Sequence, residues 1–298
     1  MEYLEWVLFA LGVSTLLPVI SHLSIVFFSL KGGTDLSKYR KGTWAVVTGA
    51  TDGIGLGFAR QLAQKGFKVV LVSRNPQKLE KVASALTEEF KVEVKVVVRD
   101  FAECVKNPVE YFRNLVGELE DLDISILVNN VGMGSPGRLH RKPLNKVLDT
   151  NALNLWPVVL LTKLLLPKLQ KAPSLIVNLS SVASITPICG SSVYCATKSY
   201  DDLFSLFLRE ELKYRSSGID VVSLQPAYVD TPLTQDIKGK FLEISADECA
   251  AKCLEAADKV GYTSGHWKHQ VVSSLIRSFS GAFSYFSSFR ASKKPKTN

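Results

Sequence analysis

Two hydrophobic periods alternate along most of this chain. Apolar runs of four to seven residues, rich in Val, Ile and Leu, occur at 44–47, 69–72, 92–98, 124–128, 175–179 and 221–224. Each is bounded by polar or turn residues and reads as a buried strand. Between them, apolar residues recur every three or four positions, as in Ile54, Phe58, Leu62 and Ala63. Helices are therefore predicted at about 54–65, 76–90, 103–118, 143–170 and 191–214. Pro76 suits an early helical position, since the first turn has no use for its missing N–H. Strictly alternating strands and helices imply an α/β fold with a doubly wound parallel sheet in a single domain.

The two ends depart from this alternation. Positions 6–30 hold 25 residues without Lys, Arg, Asp or Glu, interrupted only by Pro18 and His22. About 20 apolar residues suffice to cross the hydrocarbon core of a bilayer. Residues 1–31 are thus expected to be a transmembrane helical anchor, with Pro18 marking a kink or a re-entrant break. The long run, the lack of basic residues ahead of it and the lack of a small-residue cleavage site behind it argue against a cleaved signal peptide. Near the other end, Val272, Leu275, Ile276, Phe279, Phe283, Phe286 and Phe289 share one helical stripe within 271–290. Ser273, Arg277, Ser280, Ser284 and Ser287 share the other. That pattern predicts an amphipathic helix lying on a membrane, apolar stripe downward. A helix packed on the core is the competing reading.

Charge sharpens the division of the chain. The net charge is +8. Lys31, Lys38, Arg40 and Lys41, less Asp35, make a basic linker over 32–42, and Arg290, Lys293, Lys294 and Lys296 make a basic tail. Both excesses border predicted membrane segments, where they would meet anionic headgroups. The expected organisation is an anchor at 1–31, the linker, a catalytic domain at 43–262 and a membrane-interacting segment at 263–298. Glu2 and Glu5 precede the anchor and the basic cluster follows it, which places the domain in the cytosol by the positive-inside rule. The last five residues read K-x-K-x-x, similar to cytosolic signals for retrieval to the endoplasmic reticulum. Nothing resembles a nucleic-acid module. Five cysteines without framework spacing exclude a disulfide scaffold. Cys249, Cys253, His266 and His269 make no convincing ligand set, so no metal is expected. Asn178-Leu179-Ser180 has the form of a glycosylation acceptor but falls in a predicted core strand.

Candidate chemistry sits at the strand ends. Thr48-Gly49-Ala50-Thr51-Asp52-Gly53-Ile54-Gly55 joins the first strand to the first helix. Strand, glycine-rich turn and helix hold a dinucleotide pyrophosphate, because glycines admit the phosphates to the backbone and the helix N-terminus offers unpaired N–H groups. Arg74 follows the second strand, where proteins selective for NAD carry an acidic residue. An arginine there can neutralise a 2′-phosphate, so NADP(H) is the expected cofactor. Far along the chain, Ser181 precedes Tyr194, and Lys198 lies four residues beyond Tyr194, one turn along the same helical face. An ammonium beside a phenol favours the phenolate and makes tyrosine a usable acid or base nearer neutral pH.

These motifs together, with Asn-Asn-Val-Gly at 129–132, Asn151 and Tyr194-Cys195-Ala196-Thr197-Lys198, resemble the short-chain dehydrogenase/reductase superfamily over about residues 42–260. Within it the chain is most similar to the membrane-bound 3-oxoacyl-CoA reductases of very-long-chain fatty acid elongation. The type 12 and type 3 17β-hydroxysteroid dehydrogenases are close relatives of these. The resemblance implies a Rossmann-type fold with Ser181, Tyr194, Lys198 and Asn151 as catalytic residues, Asn151 continuing a proton path from Lys198 through a water. It implies cofactor contacts from Thr48, Gly49, Thr51, Asp52, Gly53, Ile54, Gly55, Arg74, Asn129, Tyr194 and Lys198. It also implies Asp100 at the adenine, and Val229 and Thr231 at the nicotinamide carboxamide. Substrate would meet Ser181 and Tyr194. Ala227 replaces the glycine that many relatives carry after Pro226, a departure shared with the elongation reductases.

The implied function is NADPH-dependent reduction of a 3-oxoacyl-CoA at the endoplasmic reticulum membrane, among other elongation enzymes. A 17β-hydroxysteroid dehydrogenase and a catalytically silent membrane adaptor are the alternatives. The family also suggests a homodimer formed through the helices that flank the active site. The basic loop at 133–142 could meet the phosphates of coenzyme A or be plainly solvated, and residues 232–244 are expected to cover the substrate as a lid.

Overall fold

The structure, a computed structural model, describes residues 2–30, 33–215, 218–237 and 242–278. Seven strands of these residues pair in parallel: β1 (Trp44–Thr48), β2 (Lys68–Ser73), β3 (Val94–Val98), β4 (Ile124–Asn129), β5 (Ser174–Leu179), β6 (Ile219–Leu224) and β7 (Tyr262–Thr263). Their order is β3-β2-β1-β4-β5-β6-β7. The helices are α1 (Glu2–Leu30), α2 (Gly53–Gln64), α3 (Pro76–Phe90), α4 (Pro108–Gly117), α5 (Leu144–Trp156), α6 (Thr162–Leu169), α7 (Ser192–Tyr214), α8 (Ala246–Glu255) and α9 (Trp267–Ser278). All six residues of β4 are buried, as a central parallel strand covered on both faces must be.

Successive strand residues point to opposite sides of the sheet, and the core divides accordingly. Val47, Leu71 and Val128 pack with Phe58 and Leu62 of α2, Leu79 of α3 and Cys253 of α8. Val46, Val70 and Leu127 pack with Phe112 and Leu115 of α4, Leu165 of α6 and Leu208 and Leu212 of α7. The strand order reverses between β1 and β4, and their carboxyl ends open the crevice where such sheets bind ligands.

Several elements differ from the sequence expectation. The short edge strand β7 has too few residues to show a period. The helix expected at 103–118 is a 3₁₀ turn, Phe101–Val105, followed by α4. Pro108 fits at the first turn of α4, where its missing N–H is not needed. The expected long helix at 143–170 is α5, a π segment (Pro157–Leu161) and α6. Pro157 has no N–H to offer the carbonyl four residues back, which disturbs the ladder at this point. The stretch Leu144–Leu169 is long and apolar enough to cross a membrane, but 44% of its most apolar window is buried. It is a core helix, packed on the sheet and on α7.

α1 contrasts with it. It is 29 residues long and apolar on all sides, and Trp6, Leu8, Phe9, Leu16, Leu17 and Ile20 are exposed. At 1.5 Å per residue it extends about 43 Å. The linker behind it is bound to the domain. Thr34 N–H donates to the Glu255 carbonyl, Tyr39 is fully buried with its hydroxyl 2.7 Å from Asp220, and Arg40 makes a two-pronged pair with Asp123 at 2.6 and 2.7 Å. Lys38 pairs with Asp220 and Asp258. Much of the linker's positive charge therefore meets protein carboxylates.

α9 corrects the expected orientation of the C-terminal stripe. His269, Gln270, Ser273 and Ile276 face the protein, and Trp267, Val271 and Leu275 face outward. Arg277, placed on the outer polar face by periodicity alone, reaches inward to Gln225 at 2.8 Å and lies over the Tyr262 ring. Buried polar partners just past the ends of β6 and β7, Gln225 and Ser264, outweigh the apolar stripe. Phe279, Phe283, Phe286, Phe289 and the basic tail lie outside the described residues.

Candidate active site

The glycine turn closes tightly on the start of α2. Gly49 and Gly53 have φ of +65° and +50°, a region that disfavours side chains. A Cβ on Gly55 would stand 2.2 Å from the Gly49 carbonyl oxygen and 2.5 Å from Asn130 Nδ2. Asp52 caps α2, accepting the Gly53 N–H at 3.1 Å, and Ile54 sits in the first turn. The backbone is thus laid open at a helix N-terminus, as a pyrophosphate requires.

Neighbouring strand ends are tied to this turn. Thr48 Oγ1 donates to the Val128 carbonyl at 3.2 Å and accepts the N–H groups of Asn130 and Val131 at 2.9 and 3.0 Å. Thr51 and Ser73 hydroxyls meet at 3.0 Å, bringing in the end of β2. Arg74, next in the chain, is exposed. Asp100, two residues beyond β3, caps the following 3₁₀ turn by accepting the Ala102 N–H. A groove of about 320 Å³ lined by Thr51, Arg60, Lys78 and Lys81 continues outward between α2 and α3.

A cavity of about 120 Å³ lies at the carboxyl ends of β4, β5 and β6. Ile54, Asn130, Ser181, Tyr194, Lys198, Val229 and Thr231 all line it, so residues from five segments of chain meet there. Ser181 ends the β5 loop, and its Oγ accepts the Ala183 N–H at 3.1 Å. Tyr194 and Lys198 lie one turn apart on α7. Lys198 is only 4% exposed, and its ammonium donates to the Leu179 carbonyl at 2.6 Å and to Asp201 at 3.0 Å. Burial pushes that ammonium down, but Asp201 and then Tyr194 outweigh it and leave Lys198 above its ordinary value.

Two expected residues are placed differently. Asn129 turns its side chain into the protein, donating to Thr162 and Asn178 at 3.0 and 2.8 Å. The side chain on the cavity side is that of Asn130, which donates to the carbonyls of Thr48 and Gly49. Asn151 is half-buried, and the asparagine brought to the site is Asn154, one turn later and fully buried. Asn154 Oδ1 accepts the Met133 N–H at 2.8 Å, and its Nδ2 donates to the Met133 carbonyl at 3.1 Å and Thr197 Oγ1 at 2.9 Å. It so joins α5, α7 and the loop after β4. Helical period alone does not separate Asn154 from Asn151, because the partners of Asn154 come from distant segments. Asn154→Ala should cost about 1–3 kcal/mol, because the half-buried Met133 N–H and the buried Thr197 hydroxyl both lose a partner. Asn151→Ala should stay within about 0.5 kcal/mol, and chemical denaturation of both variants checks the difference.

His269, dismissed above as a metal ligand, holds the loop that carries Val229. Ala227 N–H donates to its Nδ1 at 3.3 Å. The proton therefore sits on Nε2, which donates to the Leu242 carbonyl at 2.7 Å. Burial keeps this imidazole below its usual pKa, consistent with a neutral ring. One buried ring so fixes both the Ala227 loop and the far base of the expected lid, of which residues 238–241 lie outside the described residues. Burial also raises the Cys249 and Cys253 thiols. Among the described residues no three His, Cys, Asp or Glu side chains are grouped to hold an ion.

Comparison with known proteins agrees with this architecture. The family profile described as short chain dehydrogenase matches residues 43–240. A very-long-chain 3-oxoacyl-CoA reductase of Anas platyrhynchos is 41% identical over 205 residues, 67% of this chain and 64% of that protein. A Caenorhabditis elegans protein provisionally named steroid dehydrogenase 3 is 31% identical over 293 residues, covering 94% of this chain and 91% of its own. Among solved structures, the L-sorbose reductase of Gluconobacter frateurii, complexed with NADPH and L-sorbose, superposes with a TM-score of 0.63. It is 26% identical and covers 76% of this chain and 97% of its own.

Proposed function

Because the chain belongs to the short chain dehydrogenase family, we propose that it reduces a long or very long 3-oxoacyl-CoA to the 3-hydroxyacyl-CoA with NADPH, as a step of fatty acid elongation. The observation that carries this reading is the convergence of Ser181, Tyr194 and Lys198 on one cavity beside the glycine turn. NADPH, when bound, supplies the hydride to the carbonyl carbon. Gly49, Gly53 and Gly55 with the α2 N-terminus would receive its pyrophosphate, Arg74 its 2′-phosphate and Asp100 its adenine. Val229 and Thr231 would hold the nicotinamide carboxamide.

The remaining chemistry belongs to side chains. The Ser181 hydroxyl donates to the substrate carbonyl oxygen and orients it. The Tyr194 hydroxyl gives its proton to that oxygen as negative charge develops there, so that the ketone, one hydride and one proton make the alcohol. Stabilising this developing charge is usually the largest catalytic term. Lys198 holds a positive charge beside Tyr194 and would bind the nicotinamide ribose. Asn154, rather than Asn151, supports the path by which Tyr194 is reprotonated.

The long α1, free of charged residues from Trp6 to Leu30 and with exposed apolar side chains, supports a membrane anchor. We place the protein in the endoplasmic reticulum membrane with its domain toward the cytosol. The outward Trp267, Val271 and Leu275 of α9 and the contact between α1 and α9 support a reading in which this side of the domain faces lipid. Exposed Leu144 and Leu148 on α5, with Tyr200, Leu203 and Phe207 on the adjacent α7, favour pairing with a second copy. A steroid substrate is the second reading, favoured by the name of the relative that matches 94% of this chain. The test is NADPH consumption by the detergent-solubilised protein, with a 3-oxoacyl-CoA of about sixteen carbons or a 17-ketosteroid, and with NADH alongside. Faster turnover of the acyl-CoA with NADPH is expected; turnover of the steroid alone would replace the substrate, and faster turnover with NADH would overturn the role of Arg74.

A further inference from the structure

Two consecutive acids, Asp201 and Asp202, lie on the inner side of α7, both buried. Asp202 is held as a structural group. It accepts from Ser223 Oγ at 2.7 Å and from Gln225 Nε2, and Arg277 of α9 stands 3.7 Å away. Asp201 is different. Its side chain is 0% exposed, one oxygen accepts from Lys198 Nζ at 3.0 Å, and the other meets no partner among the described residues. The carboxylate thus serves one group, the ammonium of the catalytic cavity.

Stability does not account for this arrangement. A buried ion pair is often no better than apolar side chains of the same volume, and an unpartnered buried oxygen adds to its cost. What the pair does secure is charge. An ammonium as buried as Lys198 tends to lose its proton unless an anion stands beside it. The titratable groups facing Lys198 are Asp201 and Tyr194, and those facing Asp201 are Lys198 and Asp202. Burial raises Asp201 to about 6 against the pull of Lys198, so at neutral pH it is ionised and available to pair.

We propose that Asp201 is a positioning residue for catalysis, the counter-ion that keeps Lys198 protonated and pinned at the wall of the cavity through the working pH range. This rests on the reading of Lys198 and Tyr194 given above. Asp202, one residue on, has no such part.

Asp201→Asn tests it, since asparagine keeps the volume and an acceptor oxygen but removes the charge. Two consequences act in the same direction during reduction. Lys198 releases its proton at lower pH, and while it remains charged its field on the Tyr194 hydroxyl is no longer offset. The alkaline limb of kcat/KM is therefore expected to move toward acid by about one pH unit or more. The variant should be near wild type at about pH 6.5 and about tenfold down at about pH 9. A limb that superposes on wild type, or a loss equal at every pH, would overturn the proposal. Asp202→Asn should lower the denaturation midpoint without displacing the limb.

Cofactor binding gives a readout that needs no turnover. Followed by NADPH fluorescence on the full chain, the Kd of Asp201→Asn should rise about threefold or more relative to wild type between about pH 7 and 9.5, as Lys198 loses its charge. A constant ratio of the two Kd values would also overturn the proposal. Asp201→Ser serves if the asparagine variant does not fold. Normal turnover by Tyr194→Phe would defeat the catalytic reading, while the binding titration would still decide the role of Asp201.

Discussion

Tyr194→Phe is expected to lose about 10²–10⁴ of turnover, the range by which a positioned acid accelerates proton transfer. The substitution removes one hydroxyl and leaves the ring. Tyr194 is half-buried near the start of α7, and the backbone around it is held independently of the phenol. Its carbonyl accepts from Thr197 Oγ1 at 2.8 Å, and Thr197 is in turn bonded to Asn154. Ser181 and Lys198 keep their own partners, Ala183 N–H for the serine and Leu179 and Asp201 for the lysine. Stability should therefore change by no more than about 0.5 kcal/mol, and NADPH affinity should stay near wild type. Steady-state oxidation of NADPH with a 3-oxoacyl-CoA gives the first quantity and fluorescence titration the second. Turnover within threefold of wild type would mean that the proton comes from elsewhere.

The second large effect is expected at Gly55, through the backbone rather than a reacting group. Its added Cβ would meet the Gly49 carbonyl oxygen at 2.2 Å, Asn130 Nδ2 at 2.5 Å and the Gly49 carbonyl carbon at 2.9 Å. Two of these atoms are backbone, so no rotamer change relieves the clash. The turn must open, and with it the contact that Asn130 makes to the carbonyls of Thr48 and Gly49. Overpacking of this kind costs about 1–3 kcal/mol or more. Because the displaced atoms are the proposed pyrophosphate cradle, NADPH affinity should fall by at least about tenfold, the equivalent of 1.4 kcal/mol. Gly117→Ala is the control. Nothing lies within 4 Å of its added Cβ, so cofactor binding should not change. An unaltered Kd in Gly55→Ala would show that the turn relaxes without disturbing the cofactor.

α7 shows why some of the candidate site was legible from the chain alone. Tyr194 and Lys198 are four residues apart on one element, and the helical period places both on one face. Thr48, Arg74 and Asp100 could likewise be placed, because each follows an apolar run whose end the sequence marks. Asn154 could not be told from Asn151 this way. The two lie about one turn apart, and only the Met133 backbone and Thr197, distant in sequence, distinguish them. Asn129 and Asn130 pose a related difficulty, since neighbouring residues at a strand end point to opposite sides and periodicity does not say which side holds a ligand.

The sequence by itself determined the alternating α/β order, the long apolar N-terminal helix, the glycine turn and the spacing of Tyr194 and Lys198. These depend on local period, local turn chemistry and spacing within an element. Tertiary structure alone decided the partners of buried polar groups. It gave Asp201 to Lys198, His269 to Ala227 and Leu242, and Arg277 to Gln225, turning α9 polar side inward. Apolar burial is non-directional and leaves a periodic trace along the chain. A buried hydrogen bond is directional and joins residues from distant segments, so its partner is set only when the segments meet.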